Sequence, residues 1–335
     1  MSKMSIEPAS GATTLKRHAL SGPAMGARWS ALFFAAGDGD EAALTRRLQG
    51  AVDRVEQQMS TFRPDSDLER LNAAPVGAWI HIPRELMHVL ATALEIGRLS
   101  DGAFDIGVGD LVEAWGFGGA RVPDGGRIAA LAGRPSFEPP KTLQLDPAAG
   151  RARRLAPLRL DLAGIAKGFG VDELAREMTA AGLSSWLVGI DGEMRAEGLK
   201  PDGRPWTIAH ERPSAGARDI RGVLDLSGAA VATSGNYRHR VEVAGRTLSH
   251  TMDPSRGAPL DNDLSAVTVL GETCMAADAW ATALLVRGAI GGPALARRLG
   301  LAALFVRADG AVEATWSLAP PPEMATAPMG DPYTA

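Results

Sequence analysis

The sequence predicts an α+β fold with mainly antiparallel sheets and flanking helices. Amphipathic segments at helical spacing fill the first half, and short β-prone segments joined by turn residues fill the second. One apolar, alanine-rich helical segment, "CMAADAWATALLVRG" (274–288), is inserted among those strands. Strands joined by short turns pair antiparallel, and inserted helices must cover a sheet face, so the mixture points to α+β.

Taken in order, "DEAALTRRLQGAVDRVEQQMS" places Leu44, Leu48, Val52 and Val55 on one helical face. "PRELMHVLATALEIGRLSDG" reads as a helix with Pro83 at its start and Gly102 as its stop. "LRLDLAGIAKGFGVDELAREMTAAG" reads as a strand ending at Asp161, a glycine turn, and a helix stopped by Gly182. "SWLVGIDGEMRAEGL" and "PWTIAHERP" flank the turn "KPDGR", "HRVEV" and "TLSHTM" flank "AGR", and "LSAVTVLG" leads into the alanine-rich helix. "LAALFVRADGAVEATWS" closes as a hairpin, giving about five helices and a dozen strands.

The chain has 335 residues, 45% of them hydrophobic, enough for one large core or two closely packed ones. Residues 1–20 read as a flexible lead, 21–317 as the folded body and 318–335 as a proline-rich tail. The net charge of −4, with basic residues scattered rather than striped, argues against a nucleic-acid partner. The one cysteine, Cys274, excludes an internal disulfide and a thiolate metal cluster, and reads as a small buried hydrophobe. The start shows neither the apolar core of a secretory signal nor a cysteine for a lipid anchor, and no run of about 18 apolar residues occurs. The expectation is a cytoplasmic protein without a membrane span.

Four stretches could carry chemistry, and each also has a purely structural explanation. In "DLAGIAKGFG", Lys167 projects from the first turn of a helix, whose N-terminus favours phosphate. The spacing matches neither a P-loop nor GxGxxG, and a capped helix with a surface lysine would look the same. In "DGAFDIGVGDLVEAWGFGG", the glycines admit a flat ligand, Phe104 could wall it, and Asp105 could accept from a ring N–H or ribose hydroxyl. A tight core loop is the alternative. In "AVATSGNYRHRVEVAGRTLSHTMDPSRGAPL", Ser234 and Gly235 could offer donors to an anion, and His250 suits proton transfer or a structural role. Asp278 and Thr282 stand one turn apart on a helix face. They are hard oxygen donors suited to Mg²⁺; alternatively Asp278 complements its own helix N-terminus and Thr282 bonds back to a carbonyl.

Taken together, the ordered series "AMGARWS", "MSTFRPDSDLERLN", "DGAFDIGVGDLVEAWGFG", "LDLAGIAKGFGVDELA", "GIDGEMRAEG", "ATSGNYRHR", "LSHTMDPSRGAPL" and "AADAWATALLVRG" resembles the ApbE family of bacterial FAD:protein FMN transferases. The resemblance runs from about Met25 to Gly288, and more weakly to about Trp316. It implies an ApbE-like fold and an enzyme that uses Mg²⁺ to move the FMN moiety of FAD onto a threonine of an acceptor flavoprotein, releasing AMP. By position, Met25, Phe62, Ala103, Phe104, Asp105, Asp161, Lys167 and Met252 match FAD-contacting places in the family. The carbonyl of Gly164 and the side chains of Asp278 and Thr282 match its metal ligands, and His250 matches its catalytic histidine.

The sequence departs from the family pattern twice. Met-Gly-Thr becomes Met25-Gly26-Ala27, which removes a hydroxyl. Gly-Gly-Asp/Glu becomes Asp191-Gly192-Glu193, adding a carboxylate that would either weaken anion binding or recruit a second metal. Family members are commonly exported or lipid-anchored, so the expected cytoplasmic location departs as well. An FAD pyrophosphatase, with water as nucleophile, needs the same site and stays open. So does a non-catalytic flavin-binding or flavin-delivery protein, although storage has no use for paired hard ligands beside a base. A nicotinamide-dependent oxidoreductase would need the glycine fingerprint that is missing.

Overall fold

A computed structural model of the chain describes residues 15–37, 39–117, 122–131, 142–211, 220–235, 240–243 and 246–316. Its centre is an eight-stranded sheet: β1 (Leu15–Ala24), β2 (Ala27–Ala36), β3 (Trp186–Ile190), β4 (Glu193–Glu197), β5 (Ala229–Gly235), β6 (Leu264–Gly271), β7 (Ala302–Arg307) and β8 (Val312–Ala314). Spatial order follows chain order and every neighbouring pair is antiparallel. The sheet is thus a meander, and the other described elements are excursions from it.

The longest excursion, between β2 and β3, holds α1 (Glu41–Met59), α2 (Asp67–Ala73), α3 (Arg84–Leu99), α4 (Gly109–Ala114), α5 (Gly125–Leu131) and α6 (Ala166–Ala180). A small antiparallel sheet, in the order Ile80–His81, Arg151–Arg154, Leu143–Asp146, lies in the same excursion. Helix α7 (Cys274–Leu299) joins β6 to β7. It is long and apolar enough to cross a membrane, but 61% of its most apolar window is buried inside the protein, as befits a core helix. Its mid-helix break is at Gly288, whose φ of 73° suits glycine, and Asn262 Nδ2 donates to the Leu285 carbonyl there (2.8 Å).

The core forms because the sheet presents apolar residues to both faces. Trp29, Trp186 and Val188 pack with Leu48, Val52, Val171 and Leu174 of α1 and α6. The other face is covered by the ribbon Trp206–Glu211/Ile220–Leu226, where Trp206 meets Phe34 at 5.6 Å between ring centres.

Three details differ from the sequence expectation. The segment ending at Asp161 is not a ladder strand. Leu160 instead exchanges backbone hydrogen bonds with the Asn72 amide (2.8 and 3.0 Å), and Asp161 N–H donates to the Ile106 carbonyl (2.8 Å). The segments flanking "KPDGR" do not pair with each other. The first is itself the β3–β4 hairpin, and Trp206–Glu211 pairs with Ile220–Leu226. The expected flexible lead, 1–20, overlaps β1, whose residues from Leu15 onward pair with β2; residues 1–14 and the expected tail, 318–335, lie outside the described residues.

Candidate active site

One cleft of about 290 Å³ opens where the N-terminal ends of α6 and α7 meet the ends of β4 and β5. It is lined by Ala103, Phe104, Asp105, Asp161, Gly164, Lys167, His250, Met252, Asp278 and Thr282, residues that come from four separate stretches of sequence. Met25 and Phe62 are not among its lining residues. Met25 sits with Gly26 in the β1–β2 turn, both at positive φ (47° and 75°), the geometry of a two-residue hairpin. Its backbone N–H donates to the Glu56 carboxylate, and its side chain lies against Gly170 of α6. Phe62, 73% exposed, stands on the loop between α1 and α2.

The position of Asp278 is set by a close helix crossing. A Cβ on Gly168 would stand 2.4 Å from the Cys274 carbonyl oxygen and 2.8 Å from Asp278 Cβ, so only glycine lets α6 come this near to α7. Gly168 N–H donates to Asp278 Oδ2 (3.0 Å). Asp278 therefore complements a helix N-terminus, but that of α6 and not of its own helix. The start of α7 is capped by Asp172 from α6, which accepts from Cys274 N–H (3.0 Å) and Met275 N–H (2.9 Å), and by Thr273. Thr282 bonds across to Ser234 Oγ at 3.0 Å, and its Oγ1 is 3.1 Å from the point where a Cβ on Gly164 would stand.

Charge in the cleft is lopsided. Lys167 Nζ pairs with Glu193 Oε1 (2.9 Å) and lies 3.5 Å from Asp191 Oδ2. Burial opposes the Lys167 charge, but Glu193, Asp278 and Asp191 outweigh it and hold its pKa well above the ordinary lysine value. Burial, followed by repulsion from Glu193, pushes the Asp278 carboxyl up to about 7, despite Lys167 and the Gly168 amide. Burial raises Asp161 as well, against the Ala163 N–H it accepts. Asp105 Oδ1 accepts from Gly107 N–H (2.6 Å) and so shapes the turn after Phe104. His250 is exposed at the rim.

The donors available at Asp278, Thr282 and Gly164 are hard oxygens beside an excess of carboxylates, the environment that suits Mg²⁺. Among the described residues no group of three or more His, Cys, Asp or Glu could hold a metal, so any cation here takes a mixed set completed by ligand oxygens and water. A carboxyl driven toward protonation by burial and a like charge is the group a cation would relieve, and in that respect the residues fit one.

The family model described as the ApbE family matches residues 25–305. The chain belongs to the ApbE family. It is 32% identical over 302 residues to the FAD:protein FMN transferase of Escherichia coli K12, covering 89% of this chain and 86% of that relative. Identity to the Vibrio cholerae FAD:protein FMN transferase is 35% over 289 residues, 86% of each chain. The apo form of the Pseudomonas stutzeri flavinyl transferase ApbE superposes with a TM-score of 0.79 at 38% identity, over 90% of this chain and 95% of that one. The Vibrio cholerae flavin transferase ApbE gives 0.79 at 33%, over 90% and 98%.

Within this ApbE-family fold, two groups that shape the site, Asp172 beside it and Glu193 in its lining, carry little signal in the sequence. Asp172 reads in sequence as an ordinary polar position of α6. Glu193 was visible only as part of a motif, although a carboxylate directly after a tight Asp-Gly turn at a strand start is a signal for a side chain fixed over a sheet end. Of the two departures from the family pattern, Ala27 opens β2 opposite Ala24, and the added carboxylate of Asp191 faces Lys167.

Proposed function

We propose that this cleft moves the FMN moiety of FAD onto a threonine of an acceptor flavoprotein, releasing AMP, with a divalent cation held by Asp278, Thr282 and the Gly164 carbonyl. Family membership and the transferase relatives make the chain an FAD:protein FMN transferase. The observation that carries the finer reading is the convergence of Asp278, Thr282 and Gly164 on one cleft with Lys167 and His250. The cation, when bound, neutralises pyrophosphate charge and stabilises the departing phosphate oxygen.

The chain's own residues do the rest. Phe104 and Met252 supply apolar wall. Asp105 and Asp161, which also line the cleft, suit hydroxyl and ring N–H donors better than phosphates. Lys167 carries the positive charge on the α6 side, held there by Glu193 until phosphate oxygens compete for it. An acceptor threonine enters at the exposed rim, its oxygen bonds to the flavin-side phosphorus, the bond to the bridging oxygen breaks, and AMP leaves. His250 takes the threonine proton. Positioning and electrostatics dominate such a transfer, and a base of this kind contributes about 10²–10⁴-fold.

Incubation with FAD, Mg²⁺ and a candidate acceptor, followed by intact-mass analysis, tests the reading. A gain of one FMN on the acceptor, with AMP released in step, supports it. Rapid release of FMN and AMP without any acceptor would make the enzyme a pyrophosphatase instead.

A further inference from the structure

The Ser234–Thr282 hydrogen bond joins two elements that the chain brings together from 48 residues apart. A threonine hydroxyl has one proton and two lone pairs. To ligate a cation it must turn a lone pair toward the metal and its proton away. On a helix, the default is for that proton to bond back to the carbonyl of the preceding turn, which fixes the oxygen without regard to the cleft. Here Ser234 offers a different acceptor, 3.0 Å from Thr282 Oγ1 and on β5.

The placement of Ser234 is imposed by the sheet. Its Cα pairs with Val267 of β6, and the preceding residue, Thr233, pairs with Thr268 and exchanges a hydroxyl–hydroxyl bond with it (2.8 Å). Successive side chains on a strand point to opposite faces, so fixing Thr233 directs Ser234 toward α7. We infer that Ser234 is a positioning residue whose oxygen accepts the Thr282 proton and leaves the Thr282 lone pairs facing Gly164 and Asp278. This rests on the reading of Asp278 and Thr282 as metal ligands. Partners one step removed from a metal orient its ligands, and their loss typically costs about 10–100-fold in metal affinity.

The test is Mn²⁺ affinity, followed by electron paramagnetic resonance of free Mn²⁺, in the presence of saturating FAD and without acceptor. Ser234→Ala is expected to weaken Mn²⁺ binding by about 10–100-fold, and Ser234→Thr to stay within about threefold of wild type. Ser234→Val has the shape of Ser234→Thr without the hydroxyl, so this pair isolates the hydrogen bond if the alanine variant fails to fold. Its members should differ as alanine and wild type do. In a Thr282→Val background, Ser234→Ala should have no further effect, because the proton it would accept is gone. Equal Mn²⁺ affinity of the Thr and Val variants, or additive losses in the double variant, would overturn the inference. Asp278→Asn separates the two levels. If it abolishes Mn²⁺ binding while Ser234 variants leave it unchanged, the inference alone fails; if it has no effect, the metal reading fails with it.

Discussion

Replacing Gly168 by alanine puts a methyl group at the point where α6 crosses α7. That methyl would stand 2.4 Å from the Cys274 carbonyl oxygen, 2.7 Å from its carbon and 2.8 Å from Asp278 Cβ. Two of these atoms are backbone and the third is a Cβ, so no rotamer change relieves the clash. Ordinary contact requires the helices to separate by about 1 Å. Separation stretches the Gly168–Asp278 bond and the Asp172 bonds that cap α7. Overpacking of this kind costs about 1–3 kcal/mol, against which alanine's helix preference returns about 1 kcal/mol, so net destabilisation should be up to about 2 kcal/mol. Activity should fall further than stability, by about 100-fold, because a 1 Å misplacement of a catalytic constellation has that effect. Urea unfolding and FMN transfer to an acceptor, measured on the same preparation, check both numbers. Gly50→Ala is the control: on α1 its methyl would meet only Arg54 Nη1 at 3.8 Å, and it should stabilise by up to about 1 kcal/mol with transfer unchanged. A Gly168→Ala protein as stable and active as wild type would refute the claim that this crossing sets the site.

Other outcomes follow from the same geometry. Asp278 has its folded pKa raised to about 7, above the unfolded value, so its stabilising protonated form is fully present at low pH and lost as pH rises from about 4 through 7. Metal-free wild type should lose stability across that window more steeply than Asp278→Asn, and equal slopes in thermal unfolding would contradict the assignment. Lys167→Ala strands the buried Glu193 and should cost about 3 kcal/mol, part of which Glu193→Gln restores in the double variant; a double variant no more stable than the single one would show that the ion pair is not the reason. His250→Ala should bind FAD normally by flavin fluorescence but transfer FMN about 10²–10⁴-fold more slowly in a single turnover. An unchanged rate would remove His250 from the mechanism.

The long helices were legible because period and burial agree. Leu48, Val52 and Val55 are buried in α1 as their spacing requires, and α3 and the first half of α7 follow the same logic. Asp278 and Thr282 were legible because two oxygen donors one turn apart conflict with a helix otherwise fit for burial. Short α2, α4 and α5 span too few turns to show a period. The extended stretch before Asp161 reads as a strand in sequence because its actual partners, the Asn72 side chain and a distant carbonyl, are encoded by no local pattern. Asp172 and Ser234 acquire their roles only when α6 and β5 meet α7, and nothing within either segment announces that meeting. Met25 is the reverse case: its motif was conspicuous, and in the fold it forms a hairpin turn that packs against α6.

The most direct measurement is FMN incorporation into an acceptor, by intact mass, for wild type and Asp278→Ala with Mg²⁺ or with chelator. Wild type should modify the acceptor with Mg²⁺ and stop with chelator, and a folded Asp278→Ala protein should modify it under neither condition. Transfer by Asp278→Ala at the wild-type rate with chelator present would contradict the account.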